Sequence, residues 1–117
     1  MIAMAEPLEL HERKEGGVLV IEAGGSLDGH TFVQLEERLR QAFKGRCFDL
    51  VLDLSKLHYI ASAGVGVLIS FQQQAKQQGG GLQLVGPTAA VREVFSILGL
   101  DALFTIRADL ATALARP

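Results

Sequence analysis

The stretch "FDLVLDLSKLHYIASAGVGVLIS", Phe48–Ser70, decides how the chain folds. Its first seven residues are dense in Leu and Val, which marks a buried strand central to a sheet. "SKLHYIA" reads as the polar loop leaving that strand. From Ser62 onward the residues are small and apolar and suit a helix, with Val65, Leu68 and Ile69 spaced to face a core. The far end of this helix, "QQQAKQQ", is expected to be polar and exposed, and Gly79–Gly81 to end it.

The flanks extend the same alternation. Gly16-Gly17 separates "LELHERKE", which alternates apolar and polar residues, from the buried-strand run "VLVIEAGG", so a hairpin or two neighbouring strands is expected. "SLDGHT" is a turn leading into a helix whose Phe32, Leu35, Leu39 and Phe43 share one face, with Glu36, Glu37, Arg38 and Arg40 on the other and Gly45 as its stop. Downstream, "LQLVG" is a strand. Pro87 suits the first turn of a third helix, striped by Val91, Val94, Phe95 and Leu98 and closed by Gly99. "LFTI" gives a last short strand and "ADLATALAR" a last helix.

The order β-β-α-β-α-β-α-β-α implies an α/β fold. Its sheet is mostly parallel, four- to five-stranded, with an antiparallel edge hairpin and about four helices. At 117 residues the chain is long enough for one domain, expected over 1–117 with residues 1–6 flexible.

Composition removes several classes of function. The hydrophobic fraction of 49% and the net charge of −2 suit a globular chain and leave no basic footprint for nucleic acid or an anionic membrane. No apolar run is long enough to span a bilayer, and "MIAMAEPLEL" lacks the basic region of a secretory signal, so a cytoplasmic location is expected. Cys47 stands alone and reads as a small buried side chain rather than a reactive thiol. The chain is expected to need no cofactor and to be a monomer or weak dimer.

Catalytic patterns are incomplete. Ser62 has the strand-to-helix position of a nucleophile elbow, but "ASAGV" lacks the first glycine. His11, His30 and His58 show no metal-ligand spacing with one another or with Cys47. Neither "GGSLDG" nor "SAGVG" matches a phosphate-binding loop. The chain is therefore read as a non-enzyme.

Ser62 itself admits two readings. As a helix N-cap its hydroxyl would accept a bond from an amide one turn in. The same helix start suits a negative charge, so a phosphate on Ser62 would sit there without unfolding the helix, unobstructed by Ala61, Ala63 and Gly64.

Three segments, in order and over nearly the whole chain, resemble one family. "GSLDGHT" resembles a G-x-L-D segment before a first helix. "LVLDLSKLHYIASAGVGVL" resembles a signature strand, loop and helix, commonly D-L-S…I-D-S-S-G-L-G-x-L. "GGGLQLVGPTAAVREVFSILGLDALFTI" resembles the tail that follows. The family is that of STAS domains, in particular the SpoIIAA-like anti-sigma factor antagonists.

The resemblance implies that Ser62 is phosphorylated by a GHKL-type serine kinase that is also the anti-sigma factor. The unphosphorylated chain would bind that partner, the phosphorylated chain would let go, and a PP2C-type phosphatase would reset it. It also places Asp28 near the partner-binding surface, together with Ala61, Ser62, Ala63 and Gly64. Replacing Asp28 is expected to weaken binding and to leave thermal stability nearly unchanged. Ala61 stands where the family usually has Asp, and Ala63 where a second Ser or Thr is common. The alternative is an unphosphorylated scaffold or accessory subunit, such as the STAS partner of a lipid-transport ABC complex.

Overall fold

The computed structural model describes residues 6–115. The expected flexibility of 1–6 therefore falls, for residues 1–5, outside the described residues. Strands β1 (Leu8–Glu15), β2 (Val18–Leu27), β3 (Asp49–Ile60), β4 (Gly81–Val85) and β5 (Thr105–Arg107) form one sheet in the order β1-β2-β3-β4-β5. β1 pairs antiparallel with β2, and the other pairings are parallel. The hairpin turns on Gly16 and Gly17, both in the left-handed region (φ 54° and 85°), the backbone that a two-residue turn needs to follow the strand twist.

Helices α1 (Phe32–Lys44), α2 (Ser62–Gln77), α3 (Ala89–Ile97) and α4 (Leu110–Leu114) connect or follow these strands. Alternation along the strands divides the core. Leu19, Ile21, Leu50, Leu52 and Leu54 join Leu35, Leu39, Leu68, Val91 and Phe95 beneath α1–α3. On the other face Val18, Val20, Val51 and Val85 pack with Ala113 of α4. The short α4 covers only part of that second face, and the ends of β1, β2 and β3 remain open there.

Several sequence-based boundaries move. "SKLHYIA" is not a loop, because β3 continues through it to Ile60. Pairing with β2 steps from Glu22↔Asp53 to Gly24↔Lys56 and from Gly25↔Leu57 to Ser26↔Tyr59, so β3 carries an extra residue at each step. These bulges bring Leu54, Leu57 and Ile60 to the core at three-residue spacing and erase the two-residue alternation that marks a strand.

Other corrections have local causes. Gly45 does end α1 as its C-cap, but at φ −81°; the left-handed residue is Arg46 at φ 60°. Gln72 is buried rather than exposed, its amide donating to the Leu103 carbonyl at 2.6 Å. Pro87 lies before α3, whose N-cap is Thr88. Leu98, expected on the core stripe, lies just past the helix and is 53% exposed. The final strand begins at Thr105, after the buried Phe104.

Candidate functional site

The turn "SLDGHT" and the start of α2 meet at the end of β2. Ala61 N–H donates to the Leu27 carbonyl at 2.9 Å, and Leu27 pairs with Ile60 in the sheet. Gly64 makes this approach possible. A Cβ at that position would lie 2.6 Å from Leu27 Cγ and 3.0 Å from the Leu27 carbonyl oxygen. One glycine thus lets the first turn of α2 rest on the residue preceding Asp28, and two segments far apart in sequence form one surface.

The N-cap of α2 is Ala61, in an extended conformation (φ −112°, ψ 172°), with no side-chain capping bond. This corrects the expectation that Ser62 caps the helix, since Ser62 is already the first helical residue. The first intrahelical donor is Val65 N–H, bonded to the Ala61 carbonyl at 3.1 Å, so the amides of Ser62, Ala63 and Gly64 have no acceptor within the helix. Ser62 is exposed, and among the described residues its hydroxyl has no hydrogen-bond partner. Ala61 and Ala63 flank it half-buried, while Gly64 is buried.

Asp28 is held differently. Its Oδ1 accepts from His30 N–H at 2.8 Å and Thr31 N–H at 3.1 Å. Its carbonyl accepts from Phe32 N–H at 2.9 Å. The buried Thr31 hydroxyl accepts from Asp28 N–H at 2.9 Å and donates to the Ser26 carbonyl at 2.8 Å. Asp28 as a whole is only 8% exposed. The His30 amide above all holds its pKa below the ordinary 3.8, with burial opposing and the Thr31 amide and hydroxyl assisting. Asp28 thus holds the turn that launches α1: the turn itself was expected from "SLDGHT", and the Asx-turn role of Asp28 within it was legible in "DGHT" but not assigned.

The remaining candidates lie elsewhere. His11 and His58 line a depression of about 390 Å³ on the open sheet face, with Glu6, Glu9, Glu22 and Lys56. His58 Nδ1 lies 3.0 Å from Glu6 and Lys56 Nζ 3.2 Å from Glu22 Oε1. Neither Ser62 nor Asp28 lines this depression. The described residues contain no group of three or more His, Cys, Asp or Glu side chains placed to hold a metal, and none of their helices is long and apolar enough to cross a membrane. Cys47 is half-buried, its thiol 3.8 Å from the Asp49 carbonyl.

The family model described as "Mlab, STAS domain" matches residues 10–107. The chain belongs to the STAS domain family. Among its relatives is BtrV of Bordetella bronchiseptica, whose name assigns it to the anti-sigma factor antagonists, 36% identical over 100 residues that cover 85% of each chain. The anti-sigma F factor antagonist of Paenibacillus polymyxa is 27% identical over 100 residues, 85% of this STAS chain and 86% of that protein.

SpoIIAA in its unphosphorylated form superposes with a TM-score of 0.79 at 24% identity, over 91% of this chain and 93% of that one. The phosphorylated form of Bacillus SpoIIAA gives 0.71 at 24% identity, over 92% and 96%. At that identity the likeness concerns the fold, and it holds for the five-stranded mixed sheet and four helices. Phosphorylation-based partner switching is the known role of the anti-sigma factor antagonists in this family.

Proposed function

We propose that this STAS protein is a non-catalytic, cytoplasmic anti-sigma factor antagonist switched at Ser62. Unmodified, it binds an anti-sigma factor that is also a GHKL-type serine kinase; phosphorylated, it is released, and a PP2C-type phosphatase resets it. In the transfer Ser62 Oγ bonds to the γ-phosphorus of ATP, the bond from that phosphorus to the β–γ bridging oxygen breaks, and ADP and the hydroxyl proton leave. The names of its relatives support the antagonist role; the kinase, the phosphatase and the switch at Ser62 are what the reading adds.

The observation that carries it is the state of Ser62. An N-cap serine would have its oxygen committed to the helix, but here the cap is Ala61 and the hydroxyl is exposed and, among the described residues, without a partner. Incubation with the cognate kinase and ATP, followed by mass spectrometry, is expected to place phosphate on Ser62. Ser62→Ala is expected to keep the partner and Ser62→Asp to lose it. No phosphate on Ser62, with equal binding by both variants, overturns the reading.

Ala61 favours a second reading. A carboxylate beside the acceptor helps to position a kinase or its metal, and this chain has a methyl group there. In that case the protein is an unphosphorylated accessory subunit of an ABC complex. Co-purification with an ATPase subunit, and with no kinase, selects it.

A further inference from the structure

The two edges of the sheet differ. β5 is three residues long and leads into α4, whereas β1 runs for eight residues with no strand on its outer side among the described residues. The Pro7 carbonyl accepts from Ser26 N–H at 3.4 Å, so the odd-numbered residues of this strand turn their backbone groups toward β2. By the alternation of antiparallel pairs, those of Leu8, Leu10, Glu12 and Lys14 point outward, a row of donors and acceptors open to another strand.

Side chains decide what can use that row. Glu9, His11, Glu12, Arg13, Lys14 and Glu15 make β1 a charged edge, which repels most strands. It matches one strand well, its own copy. A two-fold axis normal to the sheet pairs two β1 strands antiparallel with the helices of both copies on one face. Paired residue numbers then share parity, and two registers are longest, over Glu9–Glu15 or Leu8–Lys14.

Charge separates the two registers. With the axis at Glu12, Glu9 faces Glu15 twice and Glu12 faces itself, a repulsive set. With the axis at His11, Glu9 faces Arg13 twice, Leu10 faces Glu12 and Leu8 faces Lys14, so no acid opposes an acid and no base a base. Glu9 has no ion-pair partner among the described residues, and Arg13 bonds Glu15 through Nε alone, at 2.9 Å. Glu12 is neutralised by Arg38 at 2.7 Å, so it brings no free charge to Leu10.

We propose that a second copy of this chain pairs with the outer edge of β1, antiparallel and centred on His11, extending the five-stranded sheet across the axis. The axis reverses strand direction, so the two Ser62 surfaces open at opposite ends, clear of the interface. The inference is independent of what binds at Ser62. A single strand pair buries less than a standard interface, so the dimer is reversible, with a dissociation constant of about 10 µM to 1 mM.

Disulfide trapping in the full chain, with Cys47→Ser as background, reads the register. Only at the axis does a residue face its own copy. Two His11→Cys side chains would have Cα atoms about 4.5 Å apart, within disulfide reach. Copies of Glu9→Cys, or of Arg13→Cys, would lie about 14 Å apart, although all three positions are exposed. Under oxidised glutathione, His11→Cys is expected to cross-link at least about tenfold faster than either.

Sedimentation equilibrium reads the charges. Glu9→Arg is expected to weaken dimerisation at least about tenfold, and Glu9→Arg combined with Arg13→Glu to return within about threefold of wild type. Melting curves confirm that each variant is folded. A wild-type chain that stays monomeric up to about 1 mM overturns the proposal. So do equal cross-linking rates at the three positions, or a double variant no better than Glu9→Arg.

Discussion

Two residues apart on α2, Gly64 and Gly66 meet opposite surroundings. A methyl at Gly64 collides with the Leu27 side chain, while one at Gly66 meets nothing within 4 Å. Leu27 is fully buried and has no room to withdraw. Gly64→Ala is therefore expected to cost about 1–3 kcal/mol as overpacking, whereas Gly66→Ala is expected to gain about 0.5–1 kcal/mol through helix propensity. Urea denaturation of the two variants reads both signs. Asp28 yields to the same local reasoning: with its carboxylate bonded to two backbone amides, Asp28→Ala is expected to lower the melting temperature by several degrees, against the sequence-based expectation of a nearly neutral change. Its pKa is lower folded than unfolded, so the stabilisation is complete above the ordinary 3.8 and is lost as pH falls through the folded value. Asp28→Asn keeps an acceptor oxygen but cannot titrate. It is expected to lose less at pH 7 than Asp28→Ala and to show a flatter decline of the urea midpoint below about pH 4.5, with Asp109 supplying a residual slope.

At the scale of elements, what was legible followed from local pattern. The hairpin at Gly16-Gly17, the order of strands and helices, and the faces of α1 and α2 all rest on residues within one or two turns of each other. The failure at "SKLHYIA" has a definite cause: two bulges space Leu54, Leu57 and Ile60 by three residues, and a bulge exists only with respect to the neighbouring strand. Amide hydrogen exchange distinguishes the two assignments. The Ala61 amide, bonded to the Leu27 carbonyl, is expected to exchange at least about tenfold more slowly than the amides of the exposed Gly29-His30 turn, as at the end of a paired strand, and equal rates would restore the loop. The buried Gln72 was missed for a similar reason. Its bond to the Leu103 carbonyl spans 31 residues, and nothing within "QQQAKQQ" distinguishes one glutamine from the next.

At the scale of the whole molecule, the candidate site exists only because the parallel sheet gathers its parts. Ser62 and Asp28 are each readable as single residues, and the resemblance pointed to both. Their union through Ala61 N–H, the Leu27 carbonyl and Gly64 is a tertiary fact that no sequence period encodes. That arrangement also separates folding from switching. An acid at the first position of α2 faces three amides without intrahelical acceptors and the positive end of the helix dipole, an effect of about 0.3–1 kcal/mol in favour of the folded state. Ser62→Asp is therefore expected to melt at or slightly above the wild-type temperature while losing its partner, and the phosphorylated protein is expected to behave likewise. A fall of several degrees in either would mean that the charge disrupts the first turn of α2, making release a matter of local unfolding. An unchanged fold with lost binding means that the switch acts wholly at the surface, which is what a hydroxyl without structural duty, on a helix start capped by its neighbour, is placed to do.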